Sequence, residues 1–503
     1  MHLRPRNSDD KAAHWTRPSK FDRNLIVIGA GAAGLVSSYI AAATRAKVTL
    51  VEANRMGGDC LNFGCVPSKA LIRSAKLAHQ MRQASSYGLA PTTPEIRFAD
   101  VMERVHRIIE EIAPHDSIER YTALGVEVVR GFAKLVDPWT VEIDQGGDGI
   151  RRLTTRAVII ATGAEPFIPP LPGLADIGYL TSDTMWDVLR QRPAPPRRLV
   201  VLGGGPIGCE LAQSFARLGS AVTQIEMAPR LLLREDAEVS EIVRSALARD
   251  GIDVLTGHRA LVCGTGTDGK WIETEHAGER RRLAFDDLIV AVGRSARLTG
   301  FGLEDLGIPV DRVVETNAYL QTRHPNILAA GDVAGPYQFT HTAGHQAWFA
   351  TVNGLFGDIK RFKVDYSAIP WATFTDPEVA RVGLSEAEAR EKNIPYEVTR
   401  FDLNDLDRAI ADSATHGFVK VLTVPGKDRI LGATIVGVHA GDLVAEFVLA
   451  MKHGLGLNKI LGTIHIYPTF VEANRQAAGI WRRAHVNPRL LAMLEWFHRW
   501  RRG

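Results

Sequence analysis

The stretch that decides the fold is Asn24-Leu25-Ile26-Val27-Ile28-Gly29-Ala30-Gly31-Ala32-Ala33-Gly34. Residues 24–28 form a short run rich in β-branched side chains, which predicts a buried parallel strand. The motif Gly29-x-Gly31-x-x-Gly34 follows at once, a helix continues over 35–43, and a second strand ends at Glu52. The glycines let the backbone and the helix N-terminus approach a pyrophosphate, and Glu52 can accept a hydrogen bond from a ribose hydroxyl. Together these features predict a dinucleotide-binding unit.

The same pattern occurs again in the middle of the chain. A strand over 198–202 leads into Gly203-x-Gly205-x-x-Gly208, and the next strand, 221–225, ends at Glu226. Two such units imply two dinucleotides in one chain. An acid at the end of the second strand favours a free 2′-hydroxyl over a 2′-phosphate, so Glu226 predicts NADH rather than NADPH. The nearby Arg230 weakens that preference.

Two cysteines follow the first unit directly, within Gly57-Gly58-Asp59-Cys60-Leu61-Asn62-Phe63-Gly64-Cys65-Val66-Pro67-Ser68-Lys69. Pro67 suits the first turn of a helix, and Lys69 then projects from the same helix face as Cys65, where its ammonium favours a thiolate. A Cys60–Cys65 disulfide requires a distorted first turn, and a distorted bond is more readily reduced, which suits catalysis. The alternatives are two buried, unlinked cysteines or half of a zinc site, but no second Cys/His pair at ligand spacing follows.

Composition narrows the class of protein. The chain has 503 residues, enough for about three domains. Its formal net charge of +3 is too small to argue for a nucleic acid partner. Its 4 cysteines are too few for a disulfide scaffold and fit a reducing compartment with at most one working pair. Residues 1–22 lack the apolar core of a signal peptide, so we expect a disordered leader and a cytoplasmic protein.

The remaining segments complete an alternating pattern of helices and strands. Helices are expected between about 70 and 120, and residues 126–129 and 140–143 suggest a small antiparallel excursion. Three buried strands end at Thr162-Gly163, at Gly293-Arg294 and at Gly331-Asp332, where the acid could meet the ribityl chain of a flavin. From about Ser367 the pattern becomes that of an α+β domain.

In this order, the motifs resemble those of the FAD-dependent pyridine nucleotide–disulfide oxidoreductases, such as dihydrolipoamide dehydrogenase, glutathione reductase and mercuric reductase. The resemblance covers about residues 23–480. It implies an α/β fold of two Rossmann-like dinucleotide-binding domains, for FAD and NAD(P), plus a C-terminal α+β dimerisation domain, and hence a homodimer. In such enzymes a hydride passes from the nicotinamide to the flavin, and electrons then pass to a disulfide.

The resemblance also implies roles for individual residues. Cys65 is the flavin-proximal, charge-transfer thiol, Cys60 is the interchange thiol that meets the substrate, and Lys69 lies near flavin N5, paired with Glu210. The candidate cofactor-binding residues are Gly29, Gly31, Gly34, Glu52, Gly58, Lys69, Thr162, Gly163, Asp332, Gly203, Gly205, Gly208, Glu210, Glu226, Gly293 and Arg294. The candidate catalytic residues are Cys60, Cys65, Lys69, Tyr467 and Glu472, and no metal site is predicted.

The chain departs from the family pattern near its end. Disulfide-reducing members have His-x-His-Pro-Thr, whose second histidine is a general acid/base held by a glutamate; here Tyr467 stands at that place and Glu472 is kept. A phenol, with a usual pKa of about 10, is a poor proton acceptor near pH 7, whereas an imidazole at about 6.5 is well matched. His465 could substitute, but we interpret it as structural. Asp59 stands where relatives usually have threonine and adds a negative charge near the redox pair.

Mercuric reductases also carry a tyrosine near this position and end in a segment like Phe470-Val471-Glu472. They add a C-terminal cysteine pair, however, and no cysteine follows Cys263 here. We therefore expect a mercuric reductase-like NAD(P)H oxidoreductase with a small-molecule or metal-ion electron acceptor, such as Cu(II) or a quinone, or a protein partner. The alternatives are a dihydrolipoamide dehydrogenase-type disulfide reductase, an NADH diaphorase or quinone reductase, and a membrane-docked redox sensor.

The C-terminal tail, residues 488–502, is unusual for the family. Leu490, Leu491, Leu494 and Phe497 fall on one helical stripe, with arginines around it. This pattern predicts either a helix on the dimer surface or a basic amphipathic helix that contacts an anionic membrane surface or a membrane protein. The expected domains are a leader (1–22), an FAD domain (23–170 and 295–366), an NAD(P) domain (171–294), a dimerisation domain (367–480) and the basic tail (481–503).

Overall fold

The computed structural model describes residues 15–503. The strands are β1 Arg23–Ile28, β2 Val48–Glu52, β3 Val126–Arg130, β4 Phe132–Asp137, β5 Thr140–Asp144, β6 Ile150–Ile160, β7 Ala164–Pro166, β8 Arg198–Leu202, β9 Ala221–Glu226, β10 Asp253–Thr256, β11 Arg259–Gly266, β12 Gly269–His276, β13 Glu279–Phe285, β14 Asp287–Val290, β15 Arg294–Ala296, β16 Ile327–Ala329, β17 Pro370–Thr373, β18 Glu378–Gly383, β19 Glu397–Asp402, β20 Phe418–Thr423 and β21 Ile430–Gly437.

The helices alternate with these strands through both dinucleotide-binding patterns and continue to the C-terminus. They are α1 Ala32–Ala43, α2 Gly58–Asn62, α3 Cys65–Arg82, α4 Phe98–Ile112, α5 Ile118–Ala123, α6 Leu174–Ile177, α7 Met185–Arg190, α8 Pro206–Arg217, α9 Ala237–Arg249, α10 Thr340–Phe356, α11 Glu386–Glu391, α12 Asp407–Ala411, α13 Ala440–Lys452, α14 Leu457–Leu461, α15 Glu472–Ala484 and α16 Pro488–Arg502.

The chain forms two compact units. The first comprises the described residues up to Cys60 together with Ile112–Glu165 and Ser295–Val364. The second comprises Leu61–Glu111, Pro166–Arg294 and Asp365–Gly503. Each unit is therefore built from segments that are far apart in sequence.

The first unit is organised around a parallel sheet in the order β3-β2-β1-β6, with β16 also parallel to β6. Leu25, Ile26 and Val27 are fully buried in β1, as the β-branched run predicts. Strand β6 has 11 residues: its second half pairs with β1, while its first half pairs antiparallel with β5. The long strand thus joins the dinucleotide-binding sheet to the β4–β5 ribbon.

One strand was expected in a different place. Residues 126–129 were assigned to an antiparallel excursion with residues 140–143, but β3 lies parallel to β2, with Val126 opposite Val48. The antiparallel part is instead formed by β4, β5 and the first half of β6. The reason is that a short apolar run does not carry the direction of its neighbour, which depends on the α5 connection before it.

The leader predicted over 1–22 falls partly outside the described residues, which begin at Trp15. Within residues 15–22, the ring of Trp15 meets that of His324 edge-on at 5.7 Å between centroids. The carboxylate of Asp22 accepts a hydrogen bond from the backbone N–H of Thr154 at 2.9 Å. These residues therefore contact the rest of the first unit.

The second unit contains the repeat of the pattern and the C-terminal domain. Strands β10-β9-β8-β14 form a parallel sheet beside the antiparallel β11-β12-β13 ribbon. The C-terminal segment forms a five-stranded sheet in the order β17-β18-β21-β20-β19, covered by α13 and α15. The architecture is the predicted α/β fold with two dinucleotide-binding sheets and an α+β domain.

A buried lysine fastens the C-terminal sheet to the start of α9. Lys420, on β20, is 1% exposed, and its ammonium lies 2.7 Å from Asp236, 2.5 Å from Glu238 and 2.9 Å from Glu386. Burial alone would raise the pKa of Asp236, but hydrogen bonds from Lys420 and from the N–H of Ala387 hold that pKa below its usual value. The ammonium thus occupies the place that a cation would take among these carboxylates.

We expect Lys420→Met to destabilise the protein by about 3 kcal/mol, because it leaves three carboxylates together without their cation. Chemical denaturation monitored by circular dichroism measures this change. Lys427→Met, on an exposed turn, is the matched control and should change stability by less than about 0.5 kcal/mol. Equal effects from the two substitutions would contradict a structural role for the cluster.

Candidate active site

The first glycine motif forms the tight turn between β1 and α1. Gly29 has φ +102°, and a Cβ on Gly34 would lie 1.7 Å from the carbonyl oxygen of Gly29. Gly58 lies against this turn, since a Cβ on it would be 2.6 Å from the Cα of Gly31. These positions accept only glycine, and they leave the backbone of the turn open to a ligand.

Further candidate residues lie at the same edge of the first sheet, because the strands that carry them are parallel. The carboxylate of Glu52, at the end of β2, accepts hydrogen bonds from the N–H groups of Ala30 and Asn54, each at 2.6 Å. Thr162 follows β6, and its hydroxyl donates to the carbonyl of Arg297 at 2.9 Å. Asp332 follows β16. This is the edge at which open α/β sheets bind ligands.

Sequence reasoning missed the residue that fixes the Asp332 loop. The side chain of Gln346, on α10, is fully buried, accepts from the N–H of Gly331 at 2.7 Å and donates to the carbonyl of Gly335 at 2.6 Å. A buried glutamine on a helix gives no local signal of this role. The two hydrogen bonds hold the backbone on both sides of Asp332.

The second motif repeats the first in detail. A Cβ on Gly208 would lie 2.1 Å from the carbonyl oxygen of Gly203. The carboxylate of Glu226 accepts from the N–H groups of Gly204 at 2.5 Å and Ala228 at 2.6 Å, as Glu52 does in the first unit. Glu226 is therefore a fixed negative charge beside the glycine turn.

The other predicted residues of this subsite lie nearby along the same sheet edge. The guanidinium of Arg230 donates to the carbonyl of Leu233 at 3.0 Å, within its own turn. Gly293 and Arg294 follow β14, which is parallel to β8. Arg294 contacts the hydroxyl of Ser182 at 3.3 Å.

A pair of stacked imidazoles beside Glu226 was not predicted. The rings of His258 and His276 lie 4.5 Å apart with an interplanar angle of 9°. The backbone N–H of His258 donates to the backbone carbonyl of Glu226 at 3.0 Å. Because His258 lies between β10 and β11 and His276 is the last residue of β12, sequence spacing gives no sign of this contact.

The two cysteines lie on two successive helices. Cys60 is on α2 and is partly buried, while Cys65 is exposed and is the first residue of α3. The indole N–H of Trp186 donates to the carbonyl of Phe63 at 2.7 Å, which fixes the turn between the two helices. A helix N-terminus favours a thiolate, so the position of Cys65 adds to the effect of Lys69 that the sequence predicts.

Lys69 and Glu210 form the predicted pair. The ammonium of Lys69 lies 2.8 Å from Glu210 Oε2, and Glu210 is 5% exposed. Phe374, which follows β17, contacts both groups. Its backbone N–H donates to Glu210 Oε1 at 2.9 Å, and its ring centroid lies 4.5 Å from the Lys69 ammonium. The role of Phe374 could not be read from the sequence.

Tyr467, which stands at the position predicted for a general acid/base, has an acidic hydrogen-bond partner. Its hydroxyl donates to Asp407 Oδ2 at 3.1 Å. This hydrogen bond and the charge of Asp407 raise the pKa of Tyr467 above its ordinary value. Glu472 accepts from the N–H of Thr469 at 3.3 Å, at the start of α15. The phenol is thus held as a proton donor and is even less suited to accept a proton near neutral pH.

Both ring nitrogens of His465 contact other residues of the protein, as expected for a structural histidine. Its Nε2 lies 2.9 Å from Glu446 Oε1 and its Nδ1 lies 2.9 Å from the carbonyl of Thr463. Its side chain is 5% exposed. The other oxygen of Glu446 accepts from Asn474 at 3.0 Å. Both ring nitrogens of His465 are therefore engaged by the protein.

Comparison with known families identifies the chain. A family model described as pyridine nucleotide-disulphide oxidoreductase matches residues 23–347, and the model of its dimerisation domain matches residues 369–478. The chain belongs to this family. The oxidoreductase is a flavoenzyme that uses FAD and NAD(P)H, with a redox-active disulfide and a dimerisation domain that supports a homodimer.

Individual relatives fall into different branches of the family. Mercuric reductase of Bacillus cereus is 32% identical over 91% of this chain and 71% of its own length. Dihydrolipoyl dehydrogenase of Thermus scotoductus is 34% identical over 90% of this chain and 96% of its own length. Such similar identities do not decide the branch.

Solved structures agree with the fold. One described as a Cu(II) complex of the HOCl-induced flavoprotein disulfide reductase RclA from Escherichia coli has a TM-score of 0.80 and 26% identity, covering 91% of this chain and 99% of that one. LpdA of Mycobacterium tuberculosis has a TM-score of 0.83 and 24% identity, covering 92% of this chain and 100% of that one. Among residues 15–503, no helix combines the length and apolarity needed to cross a membrane.

The first sheet edge fits FAD. The glycine-only turn at Gly29 and Gly34, with Gly58 against it, provides the close backbone approach that a pyrophosphate requires. Glu52 at the end of β2 and Asp332 after β16 are the residues that would accept hydrogen bonds from hydroxyl groups of the ribose and the ribityl chain. Bound there, FAD supplies a two-electron carrier between NAD(P)H and the disulfide.

Proposed function

We propose that this oxidoreductase delivers electrons from NAD(P)H, through FAD and the Cys60–Cys65 pair, to a thiophilic metal ion, in the manner of the mercuric reductase-like branch. The observation that carries the proposal is the Tyr467–Asp407 hydrogen bond. The position that the resemblance predicts for a general acid/base is thus held by a phenol, which does not accept a proton near pH 7. Reduction of a metal ion bound to thiolates needs no such group, whereas exchange with a disulfide does.

The contacts of His465 support the same conclusion. With Glu446 and the carbonyl of Thr463 on its two nitrogens, this imidazole is not available to relay a proton to a leaving thiolate. Thiolate ligands select soft ions such as Cu(I). Two relatives are named mercuric reductases with 32–33% identity, and the RclA structure is a Cu(II) complex. Cu(II) is therefore the acceptor that we propose first.

Each residue then has a defined role in the proposal. Cys65 is the thiolate next to the flavin, stabilised by the N-terminus of α3 and by Lys69. Glu210 and Phe374 hold the Lys69 ammonium in place. Cys60 is the thiol that meets the acceptor. We also propose a cytoplasmic location, because the four cysteines include at most one working pair.

A turnover screen tests this proposal. NADH oxidation by the FAD-loaded enzyme is followed with Cu(II), Hg(II), lipoamide, glutathione disulfide and a quinone as acceptors. We expect turnover with Cu(II) and little with the two disulfides. Fast lipoamide turnover would instead assign the chain to the dihydrolipoamide dehydrogenase branch, which the 34% identity to the Thermus enzyme keeps as the second candidate.

We expect NADH to be preferred over NADPH by about tenfold in kcat/KM, which corresponds to about 1.4 kcal/mol of unfavourable interaction between Glu226 and a 2′-phosphate. Glu226→Ala should remove most of this preference. Glu279→Ala, an exposed acid in the same unit, is the matched control and should leave the ratio unchanged. A clear NADPH preference that survives Glu226→Ala would mean that Arg230 controls the subsite.

A further inference from the structure

The C-terminal helix α16 has an apolar face that residues 15–487 leave uncovered. Every residue from Pro488 to Arg502 is exposed. Leu490, Met493, Leu494, Phe497 and Trp500 follow each other at helical spacing and form one stripe. Trp500 is 68% and Met493 is 56% exposed. The stripe is therefore available to a partner.

The segment that precedes α16 is held by contacts with the folded domain, and the helix begins at a defined residue. The imidazole of His485 stacks on Trp481 at 4.3 Å and lies 2.9 Å from Glu397 of the C-terminal sheet. Asn487 then caps α16 by accepting from the N–H of Arg489 at 2.9 Å, with Pro488 in the first turn. The chain thus leaves the folded domain at a definite point and starts a new helix at once.

A helix of this length is marginal in water without tertiary packing, because most helical stability in proteins comes from burial of an apolar face. The 15 residues of α16 have no such burial against the other described residues. A surface that covers the stripe is therefore expected to stabilise the helix.

The charges of α16 indicate what kind of surface this is. The helix contains Arg489, Arg499, Arg501 and Arg502 against one acid, Glu495, which pairs with Arg499 at 2.6 Å. Tryptophan and arginine together are typical of helices that lie at the boundary between lipid headgroups and acyl chains. We propose that α16 binds the surface of an anionic phospholipid bilayer, with its apolar stripe inserted and its arginine side chains, including Arg501 beside Phe497, extended to the headgroups.

A second copy of the chain fits the apolar stripe of α16 less well than an anionic bilayer does. The dimerisation-domain match ends at residue 478, before α16 begins. Two α16 helices related by a two-fold axis would bring like charges together, which opposes their pairing. An anionic bilayer, by contrast, complements both the stripe and the arginines.

Vesicle co-sedimentation of the FAD-loaded, full-length protein tests the proposal without measuring turnover, so its result is independent of the electron acceptor. We expect binding to vesicles that contain phosphatidylglycerol, little binding to pure phosphatidylcholine, and loss of binding as salt rises. Arg499→Gln, Arg501→Gln and Arg502→Gln combined should weaken binding about 100-fold. The matched control combines Arg280→Gln, Arg281→Gln and Arg282→Gln, three exposed arginines on β13, and should bind as the wild type does.

A chain that ends at Asn487 separates the alternatives. We expect it to remain a dimer in analytical ultracentrifugation and to lose vesicle binding. Three results would overturn the proposal: equal binding to neutral and anionic vesicles, unchanged binding after truncation, and dissociation of the dimer when α16 is removed. The last result would mean that the stripe packs on the partner subunit.

Discussion

Cys60→Ser should lower metal-ion-dependent NADH oxidation by at least about 10³-fold, as expected when a group that acts directly on the substrate is removed. Reduction of the flavin by NADH should be unchanged in this variant, because Cys60 lies beyond the flavin on the proposed electron path. Stopped-flow absorbance separates the two steps. Unchanged turnover in Cys60→Ser would mean that electrons leave directly from the flavin, as in a diaphorase.

The two cysteines should also differ in their spectra. With its partner removed, the Cys65 thiolate of Cys60→Ser should give a long-wavelength charge-transfer band with oxidised FAD before any reductant is added, and Cys65→Ser should lack it. Cys263→Ala is the matched control, because burial raises the pKa of this thiol to about 11 and keeps it protonated. Identical spectra for the two active-site variants would overturn the assignment of their roles.

Tyr467→His should raise lipoamide turnover by about 100-fold, part of the 10²–10⁴-fold that general acid/base catalysis typically contributes. The structure supplies two carboxylates that could orient the new imidazole, Asp407 at 3.1 Å from the present hydroxyl and Glu472. The gain should follow a pH profile with a group near pH 6.5, the usual value for histidine. Steady-state kinetics over a range of pH measures both effects.

Tyr467→Phe is the matched control, since it removes the hydroxyl but adds no base, and it should leave lipoamide turnover low. His465→Ala should also leave turnover low, although it should lower stability because it breaks the contacts with Glu446 and Thr463. Fast lipoamide turnover in the wild type, lost in His465→Ala, would contradict this account of the site.

The parts of the fold that depend on local pattern could be predicted from the sequence. The Gly29–Gly34 and Gly203–Gly208 turns each need a backbone conformation or approach that only glycine allows, so the residue type itself carries the information. The Lys69–Glu210 pair was implied only by resemblance to the family, and the structure brings the two residues to 2.8 Å.

The parts that depend on distant contacts could not be predicted. Three features depend on residues that the fold brings together from separate segments. They are the direction of β3, the two hydrogen bonds by which Gln346 holds the Asp332 loop, and the stacked His258–His276 pair. Asp407 is the clearest case. Sixty positions separate it from Tyr467, yet its carboxylate accepts the hydrogen bond of the phenol and raises the pKa of Tyr467 above its ordinary value.

The measurement that tests the central claim most directly is the reoxidation of the enzyme after anaerobic two-electron reduction by NADH. The reduced enzyme is mixed in a stopped-flow instrument with Cu(II) or with lipoamide. We predict that two Cu(II) ions are reduced to Cu(I) as the Cys60–Cys65 thiols return to the disulfide, and that lipoamide reacts at least about 100-fold more slowly because the general acid/base is absent. Reoxidation by lipoamide as fast as by Cu(II) would contradict the account.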